Sequence, residues 1–145
     1  QLVKGYGNGI GVDVYPWENV DLLVEDASKL PLDNEAFDTV TVVAALNHIP
    51  NREAVLSEIN RVMKNDGLLI ITMISPFVSR IWHYIRSPWD ADQKERGMKN
   101  GEVFGFTSDD LRKLLVSANY EVVYEKRFML CLNRVICAKK RQSLV

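Results

Sequence analysis

Residues 25–72 read E-D-A-S-K-L-P-L-D-N-E-A-F-D-T-V-T-V-V-A-A-L-N-H-I-P-N-R-E-A-V-L-S-E-I-N-R-V-M-K-N-D-G-L-L-I-I-T. Thr39 to Ala45 is β-branched and apolar throughout, the pattern of a strand covered on both faces. Leu46-Asn47-His48-Ile49 follows, and Pro50-Asn51 supplies a stop and an N-cap. From Arg52 onward, Val55, Leu56, Ile59, Val62 and Met63 share one helical face, with Lys64 and Gly67 suited to its end. Leu68 to Ile74 is again apolar, a second strand. Strand, helix and strand in this order make a βαβ unit, whose right-handed crossover sets both strands parallel in one sheet. Open parallel sheets bind ligands at the carboxyl ends of their strands, so the residues after each strand are the ones to examine.

Upstream, Gly5, Gly7, Gly9 and Gly11 precede the short apolar run Ile10 to Val14. Phosphate-cradling glycine loops follow a strand and open a helix, whereas these glycines come before a strand and suit a helix C-cap and turn. Asp13 closes that strand. Its carboxylate can accept from the two vicinal hydroxyls of a ribose, or form a turn ahead of Pro16. Val20 to Val24 is a further short strand, followed by Glu25-Asp26-Ala27. Asp26 could accept from an exocyclic amine of adenine while a neighbouring amide donates to a ring nitrogen, or it could simply be a turn residue.

Downstream, 77–104 loosens into an aromatic segment holding Trp82, Tyr84 and Trp89 and then a polar stretch. An insertion beyond a strand's carboxyl end is where a substrate lid would sit, although such aromatics equally serve packing. Thr107-Ser108-Asp109-Asp110 resembles a capping box before a helix striped with Leu111, Leu114, Leu115 and Ala118. Tyr120 to Met129 and Asn133 to Lys139 then read as an antiparallel pair at the sheet edge.

The 145 residues suit one α/β domain, and 47% hydrophobic with 26% charged residues is ordinary for a globular chain. A net charge of -1 gives no basic footprint for nucleic acid or an anionic membrane. Cys131 and Cys137 lack metal-ligand spacing, so no metal site and no disulfide framework are expected. With no apolar run of about 18 residues, the expectation is a cytoplasmic location.

The segments G-V-D-V, E-D-A-S-K-L-P-L, F-D-T-V-T-V-V-A-A-L-N-H-I, R-V-M-K-N-D-G, L-L-I-I-T and F-T-S-D-D-L-R-K-L-L-V-S-A-N-Y-E-V-V together resemble the class I S-adenosylmethionine-dependent methyltransferases, in particular those acting on small molecules and quinone precursors. The resemblance implies a Rossmann-like, mostly parallel sheet with an antiparallel C-terminal pair, and S-adenosylmethionine as cofactor. It implies that Asp13, with Val14, meets the ribose, that Asp26 and Ala27 flank the adenine, and that Leu46 and Asn47 lie beside the methionine portion. His48 is a candidate general base, being titratable near neutral pH, or a structural residue at the strand end. Asn65-Asp66-Gly67 stands where the family often has Pro-Gly-Gly.

In that family a first strand and its glycine-rich turn precede G-V-D-V. The resemblance therefore implies a domain incomplete at its N-terminus, lacking a central strand between Ile10–Val14 and Thr39–Ala45. Two facing strand edges would follow, each buried unpaired group costing about 1–3 kcal/mol. An upstream segment or another chain, in a homodimer or from a partner, would cover them, or the sheet would close differently. The expected chemistry is in-line methyl transfer to a small-molecule acceptor, which needs alignment more than an elaborate catalytic group. Two rivals stay open: a non-catalytic binding module on the same fold, and a nucleotide-dependent oxidoreductase.

Overall fold

The computed structural model describes residues 8–18, 20–76, 103, 105–129 and 132–141. Apart from Val103, the expected insertion over 77–104 lies outside the described residues, as do Gly5, Gly7 and Cys131.

Two short strands open the chain, β1 (Val12–Asp13) and β2 (Leu22–Leu23), paired parallel in register Val12 to Leu22 and Asp13 to Leu23. Both are shorter than the sequence predicts; Tyr15, Pro16 and Trp17 turn the chain after Val14 and bound β1. The remaining strands form a second sheet. β3 (Phe37–Val43) pairs parallel with β4 (Met63–Ile74), and β4 pairs antiparallel with β6 (Asn133–Lys140), which pairs antiparallel with β5 (Tyr120–Phe128). The order is β3-β4-β6-β5, so the parallel crossover and the antiparallel C-terminal pair both stand as expected. Among the described residues no strand joins β1 to β3.

Helix α1 (Arg52–Val62) carries the crossover. It ends at Val62 and not at the Lys64 and Gly67 that the sequence suggests: Met63 has left helical geometry at ψ 141° and already pairs with Phe37, so both residues fall within β4, which begins before the expected Leu68. The register then advances two residues on β3 against five on β4, so 64–67 form an irregular excursion within β4. Helix α2 (Ser108–Ser117) starts at Thr107, whose hydroxyl oxygen accepts from the Asp110 amide at 3.2 Å, the expected cap. Asn119, at φ 65°, ends it.

The core lies on one face of the four-stranded sheet. Alternate residues Leu69, Ile71 and Met73 of β4 are buried beneath Val55, Leu56 and Ile59 of α1 and Leu111 and Leu115 of α2. Tyr120 is fully buried among them, and its hydroxyl donates to the Leu56 carbonyl at 3.0 Å. Removal from water pushes the Tyr120 phenol upward, which keeps it neutral and able to donate. The expectation that β3 is covered on both faces is corrected here. Val42 is buried, but Thr39 and Thr41 are exposed and Val43 is 57% exposed, because α1 and α2 both belong to the single core on one side.

Gly67 is buried at the excursion in β4. A Cβ there would stand 2.6 Å from the Met63 Cγ and 2.9 Å from the Lys64 carbonyl oxygen. Gly67→Ala should therefore lower stability by about 1–3 kcal/mol, the usual cost of overpacking, as read by denaturant midpoint at unchanged slope.

Candidate functional site

The end of β3 is set by one backbone angle. Ala44 has φ 49°, in the left-handed region, and its amide donates to the Thr72 carbonyl at 3.0 Å. That kink ends the strand two residues earlier than the sequence suggests and swings the chain into a 3-10 turn, Leu46–His48. A non-glycine residue held there costs on the order of 1 kcal/mol and persists where the surroundings fix it, often beside a functional site.

Within the turn the three candidates separate. Leu46 is fully buried in the core, so only its backbone is available to a ligand. Asn47 is the buried polar residue of the described core, and its carbonyl accepts from the Val103 amide at 3.0 Å. His48 is exposed at the turn's last position, with its amide donating to Ala45. Just beyond, Arg52 lies over the Phe106 ring at 5.2 Å from its centroid. Val103 and Phe106 thus bring the return segment onto the carboxyl end of β3. Gly105 between them packs against Ile74 and Pro76, where its φ of 150° and a 3.0 Å approach to the Ile74 carbonyl exclude a side chain.

Asp13 ends β1 and Asp26 follows β2. The Asp13 Oδ1 accepts from the Tyr15 amide at 3.0 Å, so the turn role is real, while Oδ2 makes no hydrogen bond to the described residues. Val14 is 45% exposed beside it. Asp26 shapes a tight turn: Oδ1 accepts from the Ser28 amide at 2.8 Å and Oδ2 from the Ser28 hydroxyl at 2.7 Å. Asn51 Nδ2 adds a third donor at 3.2 Å to Oδ1. These bonds, the Ser28 amide first, hold the Asp26 carboxyl below its ordinary value and hence ionised. Ala27 is half-buried against the core. The Asn51–Asp26 bond also brings the segment after β2 beside the N-terminus of α1, just beyond the carboxyl end of β3.

An open groove of about 520 Å³ runs beside this rim, its wall formed by Leu23, Val24, Leu30 and Pro31 and flanked by Glu25, Lys29 and Glu58. Neither Asp13, Asn47 nor His48 lines it. Sequence reading passed over Glu58 and Arg61. Their i, i+3 spacing signals an ion pair, seen at 2.7 Å, but not the loop that the pair holds. Arg61 donates to the carbonyls of Leu30 and Leu32 at 3.0 and 2.8 Å and to the Asn34 side chain, and Glu58 accepts from the Leu30 amide at 2.7 Å. Among the described residues no cluster of three or more His, Cys, Asp or Glu could hold a metal ion, and no helix is long and apolar enough to cross a membrane.

Polar groups gathered at the carboxyl ends of parallel strands are the arrangement at which open α/β sheets bind ligands. Residues 7–71 match the family model described as methyltransferase domain. The chain is 26% identical over 122 residues to a demethylmenaquinone methyltransferase of Thermotoga maritima, covering 74% of this chain and 53% of that protein. A demethylmenaquinone methyltransferase of Staphylococcus aureus is 40% identical over 53 residues, covering 37% of this chain and 22% of that protein. Among solved structures, an S-adenosylmethionine-dependent methyltransferase from Thermotoga maritima superposes with TM-score 0.62 at 23% identity, over 85% of this chain and 65% of that one. The PH0226 protein of Pyrococcus horikoshii superposes with TM-score 0.66 at 19% identity, over 97% and 75%. The chain thus shares the fold of S-adenosylmethionine-dependent methyltransferases, and its residues 7–71 match the methyltransferase-domain family model. It spans about half the length of the first of these relatives.

Two substitutions check the local analysis. Ala44→Val, β-branched at a positive φ, should lower stability by more than about 1 kcal/mol, where Ala44→Gly is neutral or slightly stabilising. Glu58 is held below its ordinary value first by its hydrogen bond to Arg61, so its contribution to stability is present above the usual glutamate range and is lost as the pH falls through its folded value. Glu58→Gln should therefore flatten part of the acid limb of a stability–pH profile, leaving the shares of Asp26, Asp38 and Glu125, whose carboxyls are also lowered.

Proposed function

We propose that the whole protein transfers a methyl group from S-adenosylmethionine to a small-molecule acceptor. The observation that carries this reading is the pair of strand-end carboxylates. Asp13 and Asp26 each complete a local turn with one part of the carboxylate and retain acceptor capacity with the rest. Two such acceptors, with an exposed Val14 between ribose and adenine positions and the Asn47 turn beyond, fit the polar edge of an adenosine. The cofactor supplies a sulfonium-bound methyl group. What this chain would supply is grip and alignment: Asp13 for the ribose hydroxyls, Asp26 and Ala27 for the base, and the backbone of Leu46 and Asn47 for the methionine end. His48, exposed at the turn, would take a proton from the acceptor.

The domain boundaries belong to the same reading. The β3 edge away from β4 has no strand partner among the described residues, and neither does the β1 edge away from β2. A strand seated between them would unite the two sheets into the continuous one that the family resemblance implies. The 77–104 segment, where the sequence suggests an acceptor lid, lies outside the described residues apart from Val103. The names of the curated relatives support a quinone-type acceptor, aromatic and apolar, in accord with the near-neutral charge of the chain.

Titration calorimetry on the full-length protein tests the reading. S-adenosylhomocysteine should bind, a nicotinamide dinucleotide should not, and Asp13→Ala should weaken the former by about tenfold or more, the loss of hydrogen bonds to a charged acceptor. Binding of the dinucleotide alone would favour an oxidoreductase, and binding of neither would leave a non-catalytic module.

A further inference from the structure

The segment leaving β2 runs down α1 for the helix's whole length. Asp26 meets Asn51 at the top, Leu30 meets Glu58, and Leu30, Leu32 and Asn34 meet Arg61. At the base the amides of Glu35 and Ala36 donate to the carbonyls of Arg61 and Val62 at 2.9 and 2.8 Å. Helix and segment therefore act as one piece, and its upper end carries the Asp26 carboxylate.

Asn51 is the anomaly in this arrangement. It occupies the N-cap of α1, where an asparagine side chain ordinarily accepts from an amide two or three residues ahead. It makes no such bond. Its amide group instead donates to the Asp26 Oδ1, an oxygen already bonded to the Ser28 amide. Two donors on one oxygen and the Ser28 hydroxyl on the other stop the carboxylate from rotating and leave the remaining acceptor capacity on Oδ2 in one direction.

We propose that Asn51 is a positioning residue that leaves its helix uncapped in order to aim the Asp26 carboxylate at the exocyclic amine of an adenine. This rests on the methyltransferase reading above, through Asp26. A carboxylate fixed in this way discriminates by chemistry: it accepts from the amine of adenine and repels the carbonyl oxygen that hypoxanthine carries at the same position. A carboxylate free to rotate would turn its charge aside and lose that discrimination.

Asn51→Ser separates the two roles, because serine caps a helix well but is too short to reach Asp26. The measurement is the dissociation constant of the full-length protein for S-adenosylhomocysteine and for its deaminated analogue, S-inosylhomocysteine. The variant should keep or raise its melting temperature and bind the adenosine compound about fivefold more weakly, as expected for one exposed hydrogen bond to a charged group. Its affinity for the inosine compound should be unchanged, so that the preference between them shrinks. A wild-type preference retained in Asn51→Ser overturns the proposal and leaves the methyltransferase reading intact. Equal loss of both ligands together with a lowered melting temperature also overturns it, since that is a structural role. A wild-type protein that binds neither compound overturns both.

Discussion

Leu69, Ile71 and Met73, three alternate side chains on one face of β4, are at most 4% exposed beneath α1 and α2. At about 1.5–3 kcal/mol for each fully buried side chain, this row is the largest local contribution to the fold that a single strand makes. It also fixes direction. The βαβ crossover makes β3 parallel to β4, and the hairpin from β5 brings β6 back antiparallel on the other side. Tyr120, buried where β5 begins, closes the same core by binding the carbonyl of Leu56. With β4 and α1 locked together, everything attached to α1 inherits a defined position.

The candidate site is largely made of such attachments. The loop from Asp26 to Ala36 has little apolar surface to bury, and it is ordered by hydrogen bonds to α1. The 3-10 turn after β3 is held from within by Leu46 in the core and from without by Val103 on the Asn47 carbonyl. Ligand groups carried on short loops need this kind of support, because misplacement by about 1 Å can cost on the order of a hundredfold in rate. The helix thus orders the candidate site as much as the loops that carry its side chains do.

Much of this was legible in the sequence. Residues 39–74 announce a βαβ unit through their change of period, and the cap at Thr107 and the left-handed Asn119 bracket α2 as their residue types suggest. Asp13 and Asp26 stand out in the sequence as acids at the ends of short apolar runs. What escaped the sequence depends on contacts between distant residues. Nothing in A-A-L-N marks Ala44 as left-handed, since alanine has no preference for that region and the conformation is imposed by the turn. Nor does E-I-N-R disclose that Arg61 reaches the carbonyls of Leu30 and Leu32, because those partners lie roughly thirty residues away and are backbone atoms. Helix and strand boundaries around Met63 shifted for a similar reason: periodicity continues through a residue that pairing with Phe37 has already extended.

The open edge of β3 has a further consequence. The amides of Ala36 and Ala44 point toward β4, so alternation directs the peptide groups of Thr39, Thr41 and Val43 to the opposite side. Seven residues of flat strand with exposed Thr and Val and a lone acid, Asp38, make a good template for another strand. A β3 edge left uncovered would exchange solubility for self-association as the protein concentration rises. Light scattering against dilution then becomes a measure of how well that edge is covered, independent of any cofactor or reaction.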